Sequence, residues 1–438
     1  MPLAETTLLQ SRPDREPDTL ETNRVADALH VLTVYGLTAL LVLAVLAFGA
    51  VQGWATLALQ AGAVTLFLLW AASQALRAQL RVTYSPLFAP MAALGFVVAA
   101  QLVLGWSAYS YATYTEFMKM VAYGVLFFLT VQCLRGEGAC KRFLAVVVVF
   151  SFLLAVFAIL QDLTWNGKIY WVQELRHGGQ PYGPYVNRNH YAGLMEMLAS
   201  FPLVLAASGF LVTWLRMLIA FATVLTAGTI FLSGSRGGMI ALTLQVLFLG
   251  AWLLGRRRRR GTVRPFLAIF LLVAVLVAWL GADRFVDRLE TLRDPLGDQG
   301  SGIRPQIVRD AMRMFAERPV AGWGLGVFPI AYPKYRTFYT NLYVNEAHND
   351  YLQLLVETGL LGFAAMVFFL VLLYRVSLSQ LQHAGENLAY ATKLAALVGC
   401  TGILVHSISD FNLHIPANAA LFYVLAAIAT SRGLTVDS

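Results

Sequence analysis

One histidine stands where a polar loop meets an apolar helix. His348 lies in the run AHNDYLQLL, which continues as an apolar stretch to about Tyr374. An imidazole has a pKa near 6.5 and can take a proton from a hydroxyl group at neutral pH. The sequence therefore predicts that His348 is a general base at the boundary between water and membrane, with Asn349 beside it as a substrate contact.

Three arginines occupy comparable positions beside glycine, asparagine or proline: Arg236 in SGSRGG, Arg304 before an amphipathic helix, and Arg188 in NRNH before an apolar run. The free energy of inserting an arginine at the centre of a membrane helix is unfavourable by roughly 2.5–3.5 kcal/mol. Such an arginine therefore usually faces a cavity or a charged partner. A guanidinium stays protonated and binds phosphate oxygens in pairs. With His348, these arginines predict a site that holds a diphosphate leaving group while a sugar hydroxyl attacks.

The NRNH cluster and Arg236 each admit two interpretations. The start of a helix attracts anions, so Arg188, Asn189 and His190 would bind the substrate. Alternatively, Asn189 caps the helix and Arg188 reaches lipid headgroups. Arg236 would then lie in a tight turn at the membrane surface.

The remaining histidines outside the cytoplasmic loops have weaker claims to catalysis. His177 and His190 are far from His348 in sequence, and His406 and His414 flank the turn SDFNLHIP. A core or interfacial position is the commoner explanation for a histidine beside an apolar run. We therefore expect His406 and His414 to be structural.

Composition identifies the class of protein. Hydrophobic residues make up 58% of the chain and charged residues 13%, and the mean hydropathy is +0.65. In soluble domains about a quarter of the residues are charged. Most apolar runs reach the ~17–25 residues that a helix needs to cross a membrane. The sequence predicts an all-α polytopic membrane protein with about twelve transmembrane helices. The runs are 30–50, 55–76, 86–105, 117–134, 143–163, 191–212, 214–233, 238–255, 265–281, 349–374, 392–409 and 415–430.

The charge distribution predicts the orientation of these helices. The net charge of +8 could indicate nucleic-acid binding, but the cationic residues, including the run Arg256 to Arg260, fall in alternate loops. Such loops are cytoplasmic, which favours contact with membrane lipids over nucleic acid. The predicted divisions are a cytoplasmic tail 1–29, transmembrane helices 30–281, a large external loop with short helices 282–347, transmembrane helices 348–431, and a cytoplasmic tail 432–438.

Neither a disulfide nor a metal site is indicated. Cys133, Cys140 and Cys400 fall in spans or a cytoplasmic loop. The first external loop, 50–55, contains no acidic residue, which lowers the expectation of a divalent metal. We predict a metal-independent reaction without a cofactor.

A series of motifs resembles the bacterial O-antigen ligase and O-antigen polymerase superfamily. In order, they are NRNHYAG, SGSRGG, GIRPQIVRDAMRMFAERPVAGWGLGVF and AHNDYLQLLVETGLLG, within 183–362. The resemblance implies a GT-C-like fold in the bacterial inner membrane, with the active site on the periplasmic face. It implies transfer of a glycan from a polyprenyl (undecaprenyl) diphosphate to a glycan, lipid or protein acceptor.

The resemblance also implies roles for individual residues. His348 matches the base, Arg236 and Arg304 match the arginines that engage the diphosphate, and Arg188 matches an accessory basic position. Asp350, which follows HN, stands where members of the superfamily vary.

Several functions stay open at this point. Ligase and polymerase share the same chemistry, so the residues do not separate them. A transporter of an anionic lipid or solute also fits many spans and basic external loops, although no inverted repeat is evident. A non-catalytic scaffold would leave the arginines solvated and exchangeable for lysine.

Overall fold

The structure is a computed structural model, and it describes residues 17–78, 80–175, 179–255, 303–340 and 343–433. Within these ranges the chain is almost entirely helical, with a short antiparallel hairpin of Lys168–Ile169 and Gln173–Glu174. The expected all-α polytopic architecture is confirmed. The membrane-region helices are α1 (Pro17–Leu46), α2 (Gly53–Leu76), α3 (Phe88–Val103), α4 (Ser110–Cys133), α5 (Gly136–Leu163), α6 (Arg188–Ala207), α7 (Thr213–Leu232) and α8 (Arg236–Gly255). After them come α9 (Arg304–Glu317), α10 (Phe328–Ala331), α11 (Asp350–His383), α12 (Leu388–His406) and α13 (Pro416–Thr430).

The helices follow the predicted apolar runs closely. Among the described residues, nine helices are long and apolar enough to span a membrane, and α3 and α13 are shorter apolar helices. The predicted run 265–281 and the beginning of the external loop lie outside the described residues. Helix α1 begins at Pro17, so residues 17–29 are helical where a tail was expected. The segment is polar overall, but its leucine, glutamate, arginine and alanine residues have high helix propensity and favour a helix.

Helices α6, α12 and α13 form the interior of the bundle. The most apolar window of α6 is fully buried, and nearly all residues of α12 and α13 are buried. Small residues permit this close packing. At Gly399 and Gly402 an added Cβ would lie 2.9 Å from Ser200 Oγ and 2.1 Å from Gln245 Nε2, so glycine lets α12 approach both neighbours.

The outer helices surround this interior and keep one apolar face exposed. Helix α1 packs on α2, α2 on α4, and α4 on α13, while α3 packs on α11. Their outward faces carry large apolar side chains such as Leu57, Phe96 and Leu153, each more than half exposed. In a membrane these faces contact lipid.

Helix α11 is interrupted at Gly359, whose φ of +63° suits glycine. The whole helix has 34 residues, about 51 Å, against a hydrocarbon thickness of ~30 Å. Carbonyls freed at the interruption accept backbone bonds from Trp323 and Gly324, at 3.1 and 2.9 Å. The GWGLGVF glycines thus let the segment after α9 pass close to the bundle.

Helix α9 and the segment after it form a second, smaller core. Ile307, Ala311 and Met314 are buried against Trp323 and Phe328. Pro305 occupies the first turn, where proline is favoured. Val308, next to the buried Ile307, is 39% exposed, so the buried stripe of α9 is narrow.

Candidate active site

The connection between α12 and α13, residues 407–414, is where the predicted site residues meet. Helices α6, α8 and α11 begin, and α12 ends, at the same end of the bundle. The Asp350 N–H donates to Ser407 O at 2.9 Å, which ties the start of α11 to this loop. The Asn189 amide at the start of α6 reaches Asp410. Elements that are distant in sequence are therefore held around one loop.

His348 precedes α11 in a left-handed backbone conformation, with φ of +52°. Asn349 caps the helix, since its side chain accepts from Leu352 N–H at 2.9 Å. His348 Nδ1 is buried and lies 3.5 Å from Asp410 Oδ1, whereas the side chain as a whole is 30% exposed. The exposed surface therefore belongs to side-chain atoms other than Nδ1. This arrangement suits a base, because one nitrogen faces a carboxylate and the side chain remains accessible.

Asp410 is the partner that the sequence interpretation missed. Its side chain is 2% exposed. Oδ2 accepts from the Asn189 amide at 2.6 Å, and Oδ1 accepts from Phe411 N–H at 2.9 Å. Burial raises the pKa of this carboxyl, but contact with His348 and the charges of the His190 and His348 rings hold the pKa well below its usual range. Asp410 is therefore an anion that can stabilise a protonated His348.

Arg304 reaches the same loop from α9. Its Nη1 donates to the carbonyl of Ser409 at 3.0 Å, next to Asp410. Its Nε is buried and has no hydrogen-bond partner among the described residues. A guanidinium with unused donors can still bind phosphate oxygens.

Arg188 and Arg236 lie close to this loop as well. An added Cβ on Gly234 would be 3.5 Å from Arg188 Nη1, so the guanidinium of Arg188 lies over the SGSRGG turn. Arg236 begins α8, and its neighbour Gly237 lies so close to His406 and Ser409 that a Cβ would come within 2.5 and 2.9 Å of them. The structure therefore brings all three predicted arginines to one region.

Asp350 and His414 form a second acid–histidine pair. Asp350 Oδ1 accepts from His414 Nδ1 at 2.7 Å, and Oδ2 accepts from Leu413 N–H at 3.1 Å. His414 Nε2 lies 3.9 Å from Glu346. Burial lowers the pKa of His414, but Glu346 and Asp350 outweigh it and raise the pKa to about 10. A histidine that is protonated at neutral pH cannot act as a base, so this pair fixes the start of α11 on the loop.

The N-terminus of α6 differs in detail from the expectation. Asn187, rather than Asn189, caps this helix, with Oδ1 accepting from Asn189 N–H at 2.9 Å. The side chain of Asn189 is thereby free to bond Asp410. His190 is buried with its ring 4.6 Å from that of Phe411, which also contacts the ring of His348 at 5.1 Å. His190 is therefore packed beneath the site and is not open to a substrate.

His406 is structural, as expected. Its Nδ1 lies 2.7 Å from Glu196 Oε1, and the two side chains are 1% and 0% exposed. The pair joins α12 to α6 inside the bundle. His177 lies outside the described residues.

Three further basic side chains, Arg309 and Arg313 in α9 and Arg318 just after it, are exposed. Arg309 is exposed, and Arg313 lies 3.6 Å from Asp310. The guanidinium of Arg318 stacks on Trp323 at 4.2 Å from the ring centroid. This cation–π contact stabilises the segment that follows α9.

Histidine, cysteine and acidic side chains form no group with the arrangement of metal ligands anywhere in the described ranges. Metal independence stays a prediction.

Comparison with known proteins supports the resemblance seen in the motifs. Residues 221–367 match a family model described as O-antigen ligase. The match includes Arg236, Arg304 and His348, whereas Arg188 and Asp410 lie on either side of it. No curated protein matches the chain.

Proposed function

Since residues 221–367 match a family model described as O-antigen ligase, we propose that this multi-pass membrane protein is a glycosyltransferase. It moves a glycan from a polyprenyl diphosphate to an acceptor hydroxyl. The observation that supports this most directly is that base and cation share one loop. His348 lies 3.5 Å from Asp410, and Arg304 bonds the preceding residue, Ser409, at 3.0 Å.

In the proposed reaction, the acceptor hydroxyl gives its proton to His348 Nε2. The oxygen attacks the anomeric carbon of the donor sugar, and the bond from that carbon to the diphosphate oxygen breaks. The electron pair leaves with the diphosphate, whose charge Arg188, Arg236 and Arg304 neutralise. Asp410 stabilises the imidazolium until the proton passes to water. The residues therefore supply both the proton acceptor and the stabilisation of the leaving group.

We also propose that the site faces the periplasm of a bacterial inner membrane. Arg77, Arg135, Arg142 and Arg216 lie beside the opposite ends of α2, α4, α5 and α7. Positive residues mark the cytoplasmic side of a membrane protein. This supports an outward-facing site with access from the outer leaflet.

The test is transfer by purified protein from a defined polyprenyl-diphosphate glycan, with and without a chelator. A lipid acceptor and a second lipid-linked repeat unit are offered separately. We expect a new glycosidic product that persists with chelator, and the preferred acceptor distinguishes a ligase from a polymerase. Transport of the donor lipid without any product would contradict the proposal.

Arg304→Lys tests the proposed role of the guanidinium. We expect transfer to fall about tenfold or more, because lysine cannot bind phosphate in the paired geometry. Arg309→Lys is the matched control, on the exposed face of the same helix, and should keep wild-type transfer. Equal transfer rates for Arg304→Lys and Arg309→Lys would show that the guanidinium of Arg304 has no specific role in the reaction.

A further inference from the structure

A cavity of about 180 Å³ lies beside Leu413 and His414, at the end of loop 407–414. Arg304 contacts the other part of this loop, at Ser409. Helices α3, α4, α11 and α13 form its walls, which are apolar along most of their length. Among the wall residues are Met91, Leu94, Met120, Leu354, Phe369 and Phe422. Its polar end consists of Glu116, Asp350, Glu357 and His414. The cavity therefore has the amphipathic character of a site for a chain with a polar end.

The charges at the polar end are unsuited to phosphate. The residues that line the cavity include neither arginine nor lysine. His414 is bound to Asp350 at 2.7 Å, and nearby Lys119 is bound to Glu116 at 2.6 Å. Each of these cations already has a carboxylate partner, so neither is available to neutralise the charge of a phosphate. Hydroxyl groups, in contrast, can donate to carboxylates.

The position of the cavity relative to the base also distinguishes it from the arginine region. Along the loop, Ser409 contacts Arg304, Asp410 contacts His348, and Leu413 and His414 contact Asp350. The base thus lies between the arginines and the cavity. A displacement needs the attacking hydroxyl and the leaving group on opposite sides of the reacting carbon, with the base beside the hydroxyl.

We propose that this cavity binds the apolar chain of an amphiphile whose polar end carries hydroxyl groups and no phosphate. This ligand is the acceptor, an assignment that rests on the proposed function. Its chain lies between α3, α4, α11 and α13, and its hydroxyl groups face the carboxylates. The donor diphosphate binds separately at the arginines.

The experiment uses the full chain in a glycoside-free, phosphate-free detergent and two photoreactive probes. One is dodecyl glucoside with a diazirine in its chain, and the other is dodecyl phosphate with the same diazirine. We expect the glucoside to label cavity residues such as Met120. Unlabelled dodecyl glucoside should compete at a concentration about tenfold lower than dodecyl phosphate does.

Met366→Trp fills the cavity, and Val367→Trp is the matched control on the adjacent, 41% exposed position of the same helix. We expect glucoside labelling to fall about tenfold in the first variant and to stay near wild type in the second. Competition in the wild-type protein gives an answer even if the Met366 variant does not fold.

Three outcomes would overturn the assignment. Dodecyl phosphate could compete as well as the glucoside, Met366→Trp could label like Val367→Trp, or a photoreactive polyprenyl diphosphate could label the cavity itself. Labelling that follows the expected pattern in a protein without any transfer activity supports the ligand class and contradicts the proposed function, so the two failures are distinguishable.

Discussion

Two histidine–carboxylate pairs in this protein differ in their access to water. His406 and Glu196 are 2.7 Å apart and almost wholly buried, at 1% and 0% exposure. His348 and Asp410 are 3.5 Å apart, and although Asp410 is buried, His348 is 30% exposed. The same two chemical groups therefore form one closed pair and one open pair.

The backbone explains this difference. His406 lies in the last turn of α12, where helical geometry directs its ring toward α6. His348 lies outside a helix with φ of +52°, so its ring sits at the surface of the loop cluster. A closed pair holds two helices together, whereas an open pair leaves a nitrogen available for a proton.

The largest expected effect is on catalysis at the open pair. His348→Gln removes the proposed proton acceptor, and we expect kcat for glycan transfer to fall about 10²–10⁴-fold, the usual contribution of a general base. The thermal unfolding midpoint should change little, since the ring is partly exposed. A wild-type kcat in this variant would show that the open pair has no catalytic role.

Substitution in the closed pair should lower the stability of the folded protein. His406→Ala leaves Glu196 buried without its partner, and we expect the free energy of unfolding to drop by about 3–5 kcal/mol. Replacing both residues by leucine should restore much of that loss, because no unpaired charge remains. Denaturant unfolding of the purified variants measures the effect. A His406→Ala protein as stable as wild type would show that the pair does not hold α6 and α12 together.

Asp410→Asn sharpens the comparison by changing only the acid of the open pair. Asparagine keeps the shape but lacks the charge that stabilises the imidazolium. We expect kcat to fall about ten- to a hundredfold, the loss found when a carboxylate that orients a metal-bound histidine is replaced. Ile408→Ala, at an exposed neighbour, is the control. A fall in both variants would indicate a general disturbance of the loop instead.

The smallest effect concerns the pair formed by Asp350 and His414, and it depends on pH. The pKa of His414 is raised to about 10 from a usual value of about 6.5, so its contribution to stability is complete below pH 6.5 and is lost as the pH rises toward 10. We expect the difference in unfolding midpoint between wild type and His414→Gln to shrink across this window. A constant difference from pH 6 to 10 would show that His414 is not charged in the folded protein.

The sequence predicted most of the fold because membrane spans depend on long apolar runs. It also predicted the meeting of His348 with Arg188, Arg236 and Arg304. The first three of these residues border such runs, and Arg304 precedes a helix in the loop between two of them. It could not identify Asp410, whose role depends on the packing of α6 against loop 407–414. The signal was present in SDFNLHIP, where an acid and a histidine stand between apolar runs. The sequence also did not show which asparagine caps α6. Asn187 and Asn189 both lie at its start, and the packing around Asp410 decides that Asn187 is the cap.

The interruption of α11 at Gly359 constrains how the chain can vary. Leu360 N–H donates to Pro319 O at 2.8 Å on one side of this point, and Trp323 N–H donates to Val356 O at 3.1 Å on the other. One inserted or deleted residue between Pro319 and Trp323 would put these partners out of step. Length changes should therefore be tolerated least between Pro319 and Trp323, and homologues of different loop size should keep this short stretch at constant length.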